Sequence, residues 1–234
     1  MDTDQHIFYR RNLPHILPPK GCFFVTFRLY GSLPFRVLDR FIREKEKALA
    51  NIPKSLSPQD YQKRKYNLEK YYFARFDSLL HKTKYGPTWL AQTHIADIVV
   101  QQIFAYDNGR YNLRAFCIMP NHVHLLLDAI RNTPVTPKNE RGTTILYPLT
   151  DVLRLVKGSS ATLCNRALGR RGTFWEHESY DHVVRNENEY NQIVAYIIMN
   201  PVKAGLVNDW RDWSYTFWDE MDQPVDINVD LRST

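Results

Sequence analysis

The 234-residue chain carries 31 lysines and arginines against 25 acids, a net charge of +6, and it is 44% hydrophobic and 13% aromatic. Nine glycines exclude a fibrous protein, and no apolar run approaches the ~20 residues that span a bilayer, so no membrane partner is expected. An N-terminus without the charged-then-apolar order of a signal peptide, and three scattered cysteines (Cys22, Cys117, Cys164), fit a cytoplasmic protein with reduced thiols. The charge is unevenly spread. Asp151 to Trp175 holds Arg154, Lys157, Arg166, Arg170 and Arg171 against one acid, whereas the chain from Asp209 onward is acidic. A basic middle is what a polyanion would meet, and it is equally what ordinary solvated surface looks like.

In chain order, "GCFFVTFRLYGSLP" (21–34) is a β-branched and aromatic run closed by turn residues, and it predicts a strand. Leu38, Phe41, Ile42, Lys45 and Leu49 recur at helical spacing and predict a helix to about Ala50. After the break "NIPKSLSP", Ser57-Pro58 reads as the cap and first turn of a second helix to about Leu80, rich in charge and tyrosine. That helix is either an amphipathic packing helix or one that faces nucleic acid. The segment 86–109 predicts a helix capped by Thr88 and stopped at Asn108-Gly109.

"YNLRAFCIMPNHVHLLLDAI" predicts two strands in a hairpin about Met119-Pro120-Asn121, and 131–148 a long surface loop. Leu153, Val156, Ser160, Leu163 and Ala167 step by three and four, so a helix is expected from Leu149 to Leu168. A loop, a short strand and a last helix ended by Pro201 follow, and then an irregular tail from about 208 to 234. Strands paired in a hairpin and interleaved with helices predict an α+β class: an antiparallel sheet flanked by helices, one domain over 1–234.

Within the hairpin, His122 and His124 stand two apart on one strand and so share a face, while Val123, Leu125 and Leu127 take the other. Two imidazoles so placed are half of a divalent-metal site, or a merely structural pair. On the last helix, Tyr196 and Asn200 lie four apart on one face. A tyrosine there is an ordinary interface aromatic unless it faces a metal, in which case a phenol is a competent nucleophile toward a phosphodiester.

"MPNHVHLLL", followed downstream by "TFWEHESYDHVVRNENEYNQIVAYIIMNPVKAGLV", resembles the HUH single-tyrosine transposases, and within them the REP-associated tyrosine transposases. The resemblance runs from the strand near Gly21 through Trp213. It implies a ferredoxin-like antiparallel sheet, with His122 and His124 as metal ligands, Asn200 completing the site and Tyr196 as nucleophile. The implied reaction is metal-assisted cleavage and rejoining of single-stranded DNA beside a hairpin through a 5′-phosphotyrosine, with Mg or Mn as the ion. The implied partner is a REP-like hairpin in a bacterial, nucleoid-associated setting. Arg154, Lys157, Arg166, Arg170 and Arg171 are then the candidates for DNA phosphate contacts, and Phe174 and Trp175 for base stacking or core.

Two alternatives remain at this point. One is a domesticated hairpin-binding protein with little or no cleavage; the other is a water-using phosphodiesterase with a base among Glu176, Glu178 and Asp181. Against smaller relatives the helix over about 57–82 looks inserted, and it could contact DNA, mediate self-association or decorate the surface. A monomer is expected, with a dimer open, since no exposed apolar strand or heptad asks for a partner.

Overall fold

The computed structural model describes residues 21–82, 86–129 and 148–219. β1 (Cys22–Arg28) leads into α1 (Phe35–Ala50) and α2 (Pro58–Lys82); a 3₁₀ turn (Trp89–Ala91) precedes α3 (Thr93–Phe104). The hairpin is β2 (Tyr111–Ile118) and β3 (His122–Ala129), followed by α4 (Pro148–Ala167), β4 (Tyr180–Val183), α5 (Glu187–Ile198), α6 (Asn200–Lys203) and β5 (Thr216–Trp218). The strands form one five-stranded sheet in the order β4-β1-β3-β2-β5, every neighbouring pair antiparallel. β1 and β2 both flank β3, and β3 and β4 both flank β1. Helical crossovers therefore link β1 to β2 and β3 to β4, the arrangement of a ferredoxin-like α+β sheet, here extended by β5.

Alternation along the strands gives the sheet two buried faces. Phe23, Val25, Phe27, Val123, Leu125 and Leu127 pack with Ile95, Val99 and Ile103 of α3 and with Val152 and Val156 of α4. Phe24, Leu126, Ala115, Cys117 and Met119 meet Val194, Ile197 and Ile198 of α5 on the other face. The register places Thr26 opposite His124 and Arg28 opposite His122, so both imidazoles lie on the α5 face.

The long α2 covers the rest of that face. Ser57 caps it, its Oγ accepting from the Asp60 N–H at 3.1 Å. Phe73 stacks on Tyr180 at 4.3 Å and meets Phe24 edge-on at 5.3 Å, and the Tyr66 hydroxyl donates to Glu189 of α5. The Leu80 carbonyl accepts from Asn121 Nδ2 at 3.0 Å. The segment that looks inserted is thus part of the packed structure and sits over the histidines.

Three local expectations change. Thr88 does not cap α3: it precedes the 3₁₀ turn, and Gln92 holds the cap position without a side-chain bond. Pro201 does not end the last helix. α5 stops at Ile198, and Pro201 opens the short α6, where its missing N–H costs no bond. The tail is not irregular throughout, because Thr216–Trp218 adds an edge strand to β2. The expected loop over 131–148 lies almost wholly outside the described residues, as does the tail beyond 219.

Candidate metal and tyrosine centre

His122 and His124, both fully buried, bring their Nε2 atoms to 3.1 Å of each other. The outer nitrogens are anchored. Asn121 donates through Nδ2 to the Leu80 carbonyl, which turns its Oδ1 toward His122 Nδ1 at 2.6 Å. An amide oxygen only accepts, so His122 carries its proton on Nδ1 and presents a bare Nε2 lone pair inward. His124 Nδ1 bonds Thr26 Oγ1 across the β1–β3 ladder at 2.8 Å.

Asp77 of α2 faces this pair. Its Oδ1 lies 3.4 Å from His122 Nε2 and 3.2 Å from His124 Nε2, yet makes no well-formed hydrogen bond although it is buried. Its Oδ2 accepts from the Tyr196 hydroxyl and stands 3.5 Å from His81 Nε2. His81 Nε2 is 2.8 Å from Asn200 Oδ1, while Asn200 Nδ2 is buried without a partner. The Tyr196 ring sits 5.5 Å from the His124 ring, and the Lys203 ammonium lies 4.6 Å above its centroid. Ligand-capable atoms of Asp77, His81 and His122 all fall within 4.8 Å of one another. A bare imidazole nitrogen and an unsatisfied carboxylate oxygen, both buried and converging, are a donor set that suits a divalent cation.

The electrostatics follow from burial. Desolvation alone would raise the Asp77 carboxyl, but the attraction of the His124 and His122 imidazoles outweighs it and holds the group well below its usual range. Tyr196 is pushed well above its usual value by burial and then by the Asp77 charge. Burial lowers His122 and His81, in both cases against the raising effect of Asp77. A histidine whose folded pKa is lowered takes up protons less readily folded than unfolded. Its contribution to stability is intact above the unfolded pKa near 6.5 and declines as pH falls through that value. The Asp77 contribution, from a lowered carboxyl, is lost only in more acidic solution. The melting temperature of the metal-free protein is therefore expected to fall between pH 7.5 and pH 5.5. His81→Gln should show a shallower fall in the same scanning-fluorimetry series.

His122, His124, Tyr196 and Asn200, singled out from sequence, are brought together on one face. The five basic candidates are not beside them: Arg154, Lys157 and Arg166 lie on α4, which packs on the opposite face of the sheet, and Arg170 and Arg171 follow its C-terminal end. Arg154, Arg166 and Arg171 are exposed there. Lys157 Nζ donates to the carbonyls of Glu176 and His177 at 2.7 and 3.0 Å, and Arg170 stacks on Trp89 at 4.0 Å. Phe174 and Trp175 are core, the Trp175 indole donating to Ser160. Of the carboxylates considered as bases, Glu176 pairs with Arg28 at 3.2 Å.

Asp77, His81, Asn121 and Thr26 were not legible as site residues. The only signal for the first two is "DSLLH" (77–81), an acid and a histidine four apart on a helix and hence on one face. Nothing local says what that face touches.

No protein-family profile matches the chain. A putative REP-associated tyrosine transposase of Haemophilus influenzae is 31% identical over 103 residues, 44% of this chain and 56% of that protein. A REP-associated tyrosine transposase of Escherichia coli is 38% identical over 42 residues, 18% of this chain and 26% of that protein. The chain thus spans from about a quarter to just over half of the length of these curated relatives. A solved REP-associated tyrosine transposase bound to a REP hairpin aligns with 88% of this chain and 87% of its own, at 16% identity and a TM-score of 0.48. Sequence similarity thus links this chain to REP-associated tyrosine transposases.

Proposed function

We propose that the chain is a metal-dependent HUH-type nuclease and strand transferase. It would cleave and rejoin single-stranded DNA beside a hairpin, with Tyr196 as nucleophile and His122 and His124 as metal ligands beside Asn200. The observation that carries the reading is the contact of Tyr196 with Asp77, whose other oxygen faces the paired Nε2 atoms. The hydroxyl is thereby held at the carboxylate that faces both imidazoles, where a nucleophile beside a bound ion would stand.

A divalent ion on the imidazoles would draw charge from a non-bridging phosphate oxygen and make phosphorus more electrophilic. Tyr196 Oη forms the new bond to phosphorus while the bond from phosphorus to the 3′ oxygen breaks, and that oxygen leaves as a hydroxyl by taking up a proton from water. The phenolic proton has an acceptor in place at Asp77 Oδ2. Rejoining reverses the step, with a 3′-hydroxyl attacking the phosphotyrosine. Arg154, Arg166 and Arg171 would contribute sequence-blind phosphate attraction on the far side of the sheet, with Lys157 and Arg170 mainly holding the structure around them.

A second reading, hairpin binding without turnover, is favoured by one feature: α2 and α5 leave both imidazoles with no exposed surface. One experiment separates the two. End-labelled hairpin DNAs with varied single-stranded flanks are incubated with the protein and Mn or Mg, then run on a denaturing gel. The nuclease reading expects a slow-migrating covalent adduct that disappears with EDTA and in His122→Ala. Tight binding with no adduct on any flank would establish the binding module instead.

A further inference from the structure

The resemblance leads one to look for the third metal ligand just beyond α5, at Asn200, the first residue of α6. The side chains are arranged otherwise. Asn200 Oδ1 accepts from His81 Nε2 at 2.8 Å, which engages one lone pair of that oxygen and puts the His81 proton on Nε2. His81 therefore supports Asn200 and offers no lone pair there. The atom that faces both imidazoles is Asp77 Oδ1. It is a carboxylate oxygen on a residue only 4% exposed, without a hydrogen bond of its own. Its nearest polar neighbours are the two Nε2 atoms, at 3.4 and 3.2 Å, and an ion between the three would satisfy the oxygen directly.

The distances carry the argument further. His122 Nε2, His124 Nε2 and Asp77 Oδ1 form a triangle with edges of 3.1, 3.2 and 3.4 Å. Nitrogen and oxygen ligands held at roughly 2.0–2.2 Å from an ion stand about 3 Å apart in octahedral coordination and about 3.3–3.4 Å apart in tetrahedral coordination. The triangle spans that range as it stands, so no rotamer has to change. Anchoring is complete as well: Asn121 and Thr26 hold the outer imidazole nitrogens, and Tyr196 holds Asp77 Oδ2.

We infer that Asp77 is the third ligand of a two-histidine, one-carboxylate divalent-metal site, so that α2 supplies a ligand and is latched over the sheet by the ion. The inference rests on the nuclease reading only in placing the ion beside Tyr196; ion binding by these three residues does not need turnover. Two imidazoles with one carboxylate prefer Mn, Co or Zn to Mg, which favours all-oxygen surroundings.

The probe is Co(II), titrated into the EDTA-stripped full chain and followed by its visible absorption and by calorimetry. Asp77→Asn keeps the shape and removes the charge, and it should weaken Co(II) by about tenfold or more, since even groups that only orient metal ligands cost that much. Asn200→Ala should stay within about threefold of wild type, below the tenfold cost of a lost outer-shell partner. Equal weakening in Asn200→Ala, or unchanged affinity in Asp77→Asn, would overturn the assignment.

Should Asp77→Asn fail to fold by circular dichroism, hydrogen exchange on the wild type decides. Co(II) should slow the amides of Phe73–His81 in α2, and slowing confined to α5 would sink the latch. Adduct gels on the same preparations keep the two readings apart. Co(II) bound through Asp77 with no adduct leaves the metal site standing and removes the nuclease.

Discussion

Tyr196→Phe is expected to abolish the covalent protein–DNA adduct, by more than about 10³-fold in yield per unit time, because no other atom at this position can take phosphorus. The substitution is sterically mild. The phenyl ring keeps its neighbours, with Phe24 at 6.0 Å and Phe73 at 5.7 Å. What disappears is the hydroxyl that donates to Asp77 Oδ2, leaving a buried carboxylate oxygen with one donor fewer, a cost of about 1–3 kcal/mol in the metal-free protein. Under the proposed function, hairpin binding, measured by native gel shift, should be retained, since it would draw on surface contacts away from this hydroxyl. An adduct of undiminished yield would move the nucleophile to another tyrosine. Tyr180, whose ring stacks on Phe73 at 4.3 Å on the same face of the sheet, would be the next to test.

The second large effect is on stability. Phe27→Ala should cost about 3–5 kcal/mol, measured by urea unfolding, out of the 5–15 kcal/mol typical of a domain. Phe27 is fully buried in β1, pairs with Val123 in the β1–β3 ladder and meets Trp175 edge-on at 4.8 Å. β1 runs through the middle of the sheet and carries Thr26 one residue away, so a cavity here also loosens the anchor of His124. Phe35→Ser is the matched control. With 62% of its surface exposed at the start of α1, Phe35 has little burial to lose, and its loss should stay within about 0.5 kcal/mol. Equal losses in the two variants would mean that the β1 face is not the core.

Much of the fold was readable because it rests on local periodicity. The β-branched and aromatic run in "CFFVTFR" and the apolar run of "HVHLLLDA" made two strands, helical spacing made α1 and α4, and the Ser57-Pro58 start marked α2, each close to its expected bounds. The errors fell where chain ends of elements answer to their surroundings. Thr88, Pro201 and the tail strand Thr216–Trp218 each depend on what a neighbouring element offers, a cap, a second helical turn or a free sheet edge.

The candidate site divides in the same way. The sequence by itself determined that His122 and His124 share a strand face, since that follows from the fixed repeat of a strand, whereas Tyr196 and Asn200, expected on one helix face, lie on the successive helices α5 and α6. Only the tertiary structure decided that these faces meet, that Asp77 and His81 join them, and that Lys157 and Arg170 are turned to structural bonds. A helix shows its own face in its periodicity, but which element that face is buried against is set by packing between segments far apart in the chain. Asp77 and His124 are 47 positions apart in the chain, yet their side-chain atoms lie 3.2 Å apart for that reason alone.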